Sequence, residues 1–347
     1  LTSLGRFLLL GLKDLFTLAR YDEKVLKSRI YRKGQVTEVD FALEDLARIN
    51  KDRGAVYWLD LVAPTPDQLH HLSETLDLHE LAVEDAFSGM QRPKIDHYDS
   101  HLYINLYHAS YDAKQKSLST SELSVFVMKR GLVTIRSSAA FDMDAVTKRW
   151  DESAELSDGG VDYLLWGLLD VVVDSYFDVI QVLDVELEEL ENLMFEEKRD
   201  SRLIQQRSYA LRKALVLLRR IAIPMREVLS PLVRREANFL GDHMLPYFQD
   251  VYDHVMRVGD WTDSLRDLVT TLLETHLTIQ GNHLNLIMKK VTSWAAIVAV
   301  PTAITGFYGQ NIPYPGIDSQ TGFITSSILI VALSGLLYWV FKRRDWL

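Results

Sequence analysis

Asn285, Met288, Val291, Ala295, Ala299, Thr302, Gly306 and Gly309 recur at steps of three and four, the spacing that places residues on one face of a helix. Every member is uncharged and most are small. Two kinds of chemistry suit such a stripe. One is close packing of helices through small residues, which membrane interfaces favour. The other is the wall of a passage that cannot trap a divalent ion by charge. The chain has no cysteine, so any metal must be held by oxygen or imidazole, a donor set that fits a hard ion such as Mg2+. With 48 acidic against 38 basic residues the formal net charge is -10, which argues against a nucleic-acid partner and suits cations. One acidic run (Asp184, Glu186, Glu188, Glu189, Glu191, Glu196, Glu197) is followed by a basic one (Arg207, Arg212, Lys213, Arg219, Arg220). It reads as a solvated face with neutralising partners. No nucleophile elbow, phosphate loop or zinc-hydrolase histidine pair is present, so an enzyme is not expected.

Elements that would position these residues follow from periodicity. Ala55 to Leu61 predicts a short apolar strand, Pro64-Thr65-Pro66 a break, and Asp67 to Leu76 a helix. His101 to Tyr111 predicts a second strand, and Glu122 to Met128 with Leu132 to Ile135 a hairpin across Lys129-Arg130-Gly131. Beyond Asp162 helical periodicity takes over, with helices expected over 161 to 197 and 201 to 237. A third starts near Asp242 and, after Pro246, meets no proline until Pro301. Its apolar positions Val251, Val255, Val258, Thr262, Leu265, Val269, Leu272, His276 and Ile279 keep heptad spacing, which predicts helices associating along a seam and gives copies a reason to assemble. Unbroken to Gly309, this helix would be on the order of 100 Å long at a rise of about 1.5 Å per residue.

Val291 to Tyr308 and Phe323 to Phe341 contain no charged residue, and each is about the length needed to cross a ~30 Å hydrocarbon core. Lys289 and Lys290 precede the first span, Lys342, Arg343 and Arg344 follow the second, and the loop between has no Lys or Arg. The positive-inside rule then places both termini and the soluble part in the cytoplasm of an integral plasma (inner) membrane protein. Two helices cannot enclose a hydrophilic path alone, so transport would require an oligomer. The chain opens on Leu1 rather than Met, which leaves the native start open. Leu4, Phe7, Leu8, Leu12 and Leu15, interrupted by Arg6, Lys13 and Asp14, read as an amphipathic helix and not a secretory signal.

Tyr308-Gly309-Gln310-Asn311, between two C-terminal spans, resembles the Tyr-Gly-Met-Asn signature of CorA-type magnesium channels. Gln310 departs from it by replacing Met. Gln91-Arg92-Pro93-Lys94, Asp162-Tyr163-Leu164-Leu165, Arg226-Glu227-Val228-Leu229-Ser230, Pro246 to His254 and the terminal Phe341 to Leu347 are similar to the same family, so the likeness covers most of the chain from about residue 50.

The resemblance implies an α+β fold: an N-terminal cytoplasmic α/β/α domain (1–160), a helical hairpin (161–241), and a stalk helix (242–290) continuous with a pore-lining transmembrane helix (291–309). An extracytoplasmic loop (310–322), a second transmembrane helix (323–341) and a basic tail (342–347) would follow, in a funnel-shaped homopentamer within the lipid bilayer. It implies Mg2+ influx, with Co2+ and Ni2+ as further ions, driven by about 4.6 kcal/mol per divalent ion at 100 mV. Gly309, Gln310 and Asn311 would form the mouth, where a ring of Asn311 carboxamides accepts hydrogen bonds from a hydrated ion. Met288 and Val291 would be hydrophobic rings, Asn285 a lower polar ring, and Lys289, Lys290, Lys342, Arg343 and Arg344 a basic ring at the exit or anchors at lipid headgroups. Regulatory Mg2+ would sit between subunits on Asp85 with Asp250, and on Glu84 with Asp174, with Glu274 a further candidate. No organic cofactor is implied. Two other readings stay open: a ZntB-like zinc transporter, for which His276 and His283 are the nearest imidazoles, and a membrane-anchored scaffold that conducts nothing.

Overall fold

The computed structural model describes residues 26–195, 200–234, 241–310 and 319–347, so the amphipathic segment expected at Leu4 to Leu15 lies outside the described residues. The described residues form two compact units, one ending at Val269 and the other running from Thr270 to Leu347.

Seven strands make one sheet in the first unit: β1 (Leu26–Arg32), β2 (Gln35–Val39), β3 (Val56–Val62), β4 (Lys94–His97), β5 (Leu102–Asp112), β6 (Ser117–Val127) and β7 (Gly131–Arg136). Their order is β2-β1-β3-β7-β6-β5-β4, antiparallel throughout except for the central parallel pair β3 and β7. Alternation along β3 sorts its side chains onto two faces. Tyr57, Leu59 and Leu61 join a core with α1 (Leu46–Lys51), α2 (Pro66–Leu76) and α3 (Glu80–Ser88), through Leu46, Ile49, Leu69, Leu72, Leu76 and Ala82. On the opposite face Trp58 meets Trp150 of α4 (Met143–Glu152) edge-on at 5.1 Å. The long α5 (Val161–Phe195) packs over β5 on that face, and α6 (Ser201–Val233) returns beside it. Gly167 of α5 has no side chain for a close reason: a Cβ there would lie 2.5 Å from Trp150 Cδ1.

The break before α2 is a capping box. Thr65 Oγ1 accepts from Gln68 N at 3.3 Å and Thr65 N donates to Gln68 Oε1 at 2.8 Å, while Pro66 takes the first helical position, where a missing N–H costs nothing. Between the parallel strands lies a buried ion pair. Arg136 (4% exposed) donates to Asp60 (0% exposed) at 2.5 Å, and Asp60 also accepts from Thr134 Oγ1 at 2.6 Å. A buried charge is tolerated only when paired and hydrogen-bonded in this way.

A short turn, Asp242–Met244, leads into α7 (Leu245–Tyr308), which contributes to both units. Its heptad positions Val251, Val255, Val258, Thr262, Leu265 and Val269 are all buried. Gly259 lies close to Ile223 of α6, and Arg219 of α6 pairs with Asp263 at 2.7 Å. The seam associates helices, and its positions from Val251 to Val269 are covered within one chain. Thr262 is accommodated because its hydroxyl bonds to Val258 O at 2.7 Å. In the second unit Leu272 and His276 are buried, whereas Ile279 is half-buried.

α7 contains Pro301, and α8 (Gln320–Arg343) is the last helix of the chain among the described residues. Both helices carry an apolar stretch long enough to cross a membrane, with mean hydropathy 1.4 and 2.0, and 6% and 0% of those stretches is buried within the chain. A soluble core helix would be mostly buried.

Asp162, in the first turn of α5, accepts a hydrogen bond from Gly241 N and so ties down the approach to α7. Burial pushes its carboxyl up to about 6, against the opposing effects of that bond and of His243. A raised folded-state value stabilises the fold fully below the ordinary carboxylate range, and that stability is lost as pH rises through about 6. Asp162→Asn keeps the acceptor without the charge. Thermal unfolding followed by circular dichroism should show the parent losing on the order of 2–3 kcal/mol relative to this variant between pH 4 and 7.5.

Candidate functional site

α3 carries the first pair of expected ligands. It starts where His79 Nδ1 accepts from Leu81 N at 3.2 Å, and it ends at Gly89, whose φ of 63° lies in the left-handed region that favours glycine. Glu84 and Asp85 are adjacent and therefore point in different directions. Glu84 is exposed. Asp85 turns towards β4, where Lys94 Nζ lies 2.6 Å from Oδ2 and Gln91 Nε2 donates to Oδ1 at 3.1 Å. Lys94 is also 2.8 Å from Asp96. Burial lowers the Lys94 pKa, but the hydrogen bonds to Asp85 and Asp96 more than offset it and hold the ammonium above the ordinary lysine value.

A second group forms where α5 meets the start of α7. Single ligand atoms of Asp170, Asp174 and His254 all lie within 4.8 Å of one another. Arg149 of α4 bridges the two acids, 2.9 Å from Asp170 and 2.7 Å from Asp174. Asp250, one turn before His254, is 3.7 Å from its Nε2. Burial pushes the Asp170 carboxyl up to about 6, with repulsion from Asp174 adding and Arg149 opposing. The donor set fits a hard divalent cation: carboxylate oxygens dominate, and His254 Nδ1 is buried without a hydrogen-bond partner. Asp174 and Asp250 are thus brought into one neighbourhood within the chain. Asp85 and Asp250 share no partner there, and Glu84 is outside the group. Glu274 is exposed and joins no such group among the described residues.

Asp170, His254 and Arg149 were not anticipated as site residues. Asp170 with Asp174, and Asp250 with His254, are each spaced by four on a helix, and this repeated spacing was the available signal. Lys94 stood in a quoted motif without a role, and Asp96 in none.

The stripe on α7 is exposed at every position, Asn285, Met288, Val291, Ala295, Ala299, Thr302 and Gly306 included. Met288 and Val291 are 62% and 59% exposed, and a Cβ on Gly306 would meet nothing within 4 Å. Another face of the same helix is shielded: Ser293 is buried, and Ala296, Ile297, Val300, Ile304 and Tyr308 are half-buried. Thr302 satisfies its hydroxyl on Val298 O at 3.0 Å. After Tyr308 the helix closes with Gly309 N donating to Thr305 O at 2.8 Å, and Gln310 is exposed. Asn311 lies outside the described residues. Lys289 and Lys290 are exposed. Lys342 and Arg343 sit over the rings of Tyr338 and Trp339, at 5.8 and 5.3 Å, and Arg344 N bonds back to Val340 O. His276 is buried, with Gln280 at 3.0 Å, and His283 is exposed.

Two helices long and apolar enough to cross a membrane follow the α/β unit, and comparison with known proteins supplies the class. Residues 53–343 match the CorA-like Mg2+ transporter protein family. The cobalt/magnesium transport protein CorA of Thermotoga maritima is 29% identical over 320 residues, covering 91% of this chain and 89% of that protein. The complete structure of the CorA magnesium transporter from Methanocaldococcus jannaschii has a TM-score of 0.78 at 22% identity, covering 94% of this chain and 99% of that chain, which shows a common fold. The zinc transport protein ZntB of Pectobacterium atrosepticum is 25% identical, over 84% of this chain and 88% of that protein. The chain belongs to the CorA-like Mg2+ transporter family; it is a divalent-cation transporter and not an enzyme.

Arg149→Met would leave Asp170 and Asp174 facing each other without a cation between them. In EDTA this variant should be less stable by about 1 kcal/mol, or roughly 2–4 °C in unfolding midpoint. Adding Mg2+ should raise its midpoint more than the parent's, and an equal response would remove these acids as ion ligands.

Proposed function

We propose that copies of this chain surround a central path along α7 and carry Mg2+ into the cytoplasm down the membrane potential, with Co2+ and Ni2+ as further substrates. The observation that carries this reading is that every member of the uncharged stripe from Asn285 to Gly306 is exposed, while from Ser293 onward a different set of positions on the helix is buried or half-buried. A path lined by small uncharged groups lets Mg2+ keep its hydration shell, which it gives up reluctantly. Charged groups there would hold the ion too well to release it. Met288 and Val291 form the narrow apolar rings, and Asn285 a polar ring below them. Gly309, Gln310 and Asn311 form the outer mouth, with Asn311 facing the hydrated ion. Five copies around the axis is the assembly that the family resemblance implies. The seat of Lys342 and Arg343 over aromatic rings favours anchoring at lipid headgroups, where such rings are common. Lys289 and Lys290 are left to face the exit.

Control belongs to the acids of the first unit. Asp85 and Asp250 would hold a regulatory Mg2+ between neighbouring copies, and Glu84 and Asp174 a second, with Glu274 a weaker candidate. Asp170 and His254 join the second set because they already surround Asp174. A bound divalent ion supplies the positive charge that lets facing carboxylates approach. With little ion available the acids repel across the contact, and the closed arrangement loosens.

Asn311→Ala should abolish Mg2+ uptake by reconstituted liposomes without changing the oligomer's mass by light scattering. Full uptake by that variant would overturn the pore reading. Replacing Asp85 and Asp250 together by Asn should keep flux high when internal Mg2+ is raised to levels that silence the parent. Unchanged inhibition would remove these two acids from the control mechanism.

A further inference from the structure

The Gln91-Arg92-Pro93-Lys94 motif has no part in the path or in the ion sites, yet both its ends hold Asp85. The loop that presents them is pinned. Glu122 of β6 accepts from Met90 N at 2.7 Å, from Gln91 N at 3.1 Å and from Asn105 Nδ2 at 2.9 Å. Gln91 O in turn accepts from Asn105 Nδ2 at 3.1 Å and from Tyr107 Oη at 2.5 Å. Gly89 and Met90 both carry positive φ, so the tight reversal into this loop is held open by those bonds. Lys94 is placed by β4, paired in register with Asn105 of β5. Its ammonium therefore reaches a fixed spot in a cleft of about 530 Å3 that is also lined by Glu84, Asp85 and Asp96.

We propose that Lys94 is a built-in competing cation that sets how much divalent ion is needed to occupy Asp85. The inference rests on the reading of Asp85 as a regulatory ligand. Both carboxylate oxygens of Asp85 are engaged, Oδ1 by Gln91 and Oδ2 by Lys94. A divalent ion must displace the ammonium to gain that oxygen. Asp96, already 2.8 Å from Nζ, gives the displaced ammonium a second resting place, so the exchange leaves no lysine charge unpaired. The pair is part-exposed, at 23% and 24%, so it can exchange with an ion from solvent. Lys94 thus weakens Asp85 as a ligand, and Asp96 limits that weakening by drawing the lysine away. The two neighbours act in opposite directions on one threshold.

The test measures, for the full chain in liposomes, the internal free Mg2+ that halves uptake. Lys94→Met should lower that concentration on the order of tenfold, the size of effect that one adjacent charge has on a carboxylate's affinity for a proton. Asp96→Asn should raise it, because the ammonium then rests on Asp85 alone. Lys94→Arg, which keeps the charge, should stay within about twofold of the parent. Lys94→Met added to Asp85→Asn should produce no further shift. If Asp85→Asn alters inhibition but Lys94→Met and Asp96→Asn do not, the competing-cation role falls while Asp85 keeps its place. If Lys94→Met and Lys94→Arg shift the threshold alike, the lysine acts by shape and the proposal is overturned. If Asp85→Asn changes nothing, the Asp85 reading fails and takes Lys94 with it.

Discussion

A carboxylate removed even partly from water needs a counter-charge, and in this chain the counter-charge is usually supplied from within. The outcome depends on burial. Asp60 and Arg136 are sealed between parallel strands, so their pairing is permanent and serves the sheet. Asp85 with Lys94, and Asp174 with Arg149, keep access to solvent. On the proposed control scheme the same attraction becomes a competition there, in which an ion from solution takes the place of a side chain. That scheme separates the structural pair from the acids whose internal partners remain open to solvent.

The proposed transport path follows the opposite rule. Along the stripe on α7 no charge is present to be neutralised, and its polar side chains are the hydroxyl of Thr302, which bonds to Val298 O, and the carboxamide of Asn285. On that proposal one chain divides its chemistry: charge where an ion is to be held and counted, neutrality where it is to pass. The buried heptad residues from Val251 to Val269 fasten the upper part of α7 to its own chain.

Much of the fold was legible in the residues because apolar periodicity was strong. β3, α2, β5, the β6–β7 hairpin and the three long helices fall within a few residues of where their patterns place them. The edge strand β2 was not visible, since all five of its residues are exposed and no alternation marks it. Strand β4 is short, and its partly buried Lys94 and Asp96 look like surface residues until Asp85 is set beside them. The partner of the seam was not legible for a related reason. Heptad spacing records that a face is covered but not whether the cover is the same chain or another copy. The acid and histidine of the second group sit on helices far apart in sequence, and only the packing of α5 against the start of α7 brings Asp170 and Asp174 to His254.

Pro301 stands within the first span, and its ring nitrogen has no hydrogen to give to the carbonyl of Ile297, one turn earlier. Nearby, the hydroxyls of Thr302 and Thr305 bond back to Val298 O and Pro301 O and share those acceptors with the backbone. The hydrogen-bond ladder is therefore weakest over a single turn of this span. Bending of the span will concentrate at that turn, where the proline removes one backbone donor, and the helix on either side will move as a stiff rod.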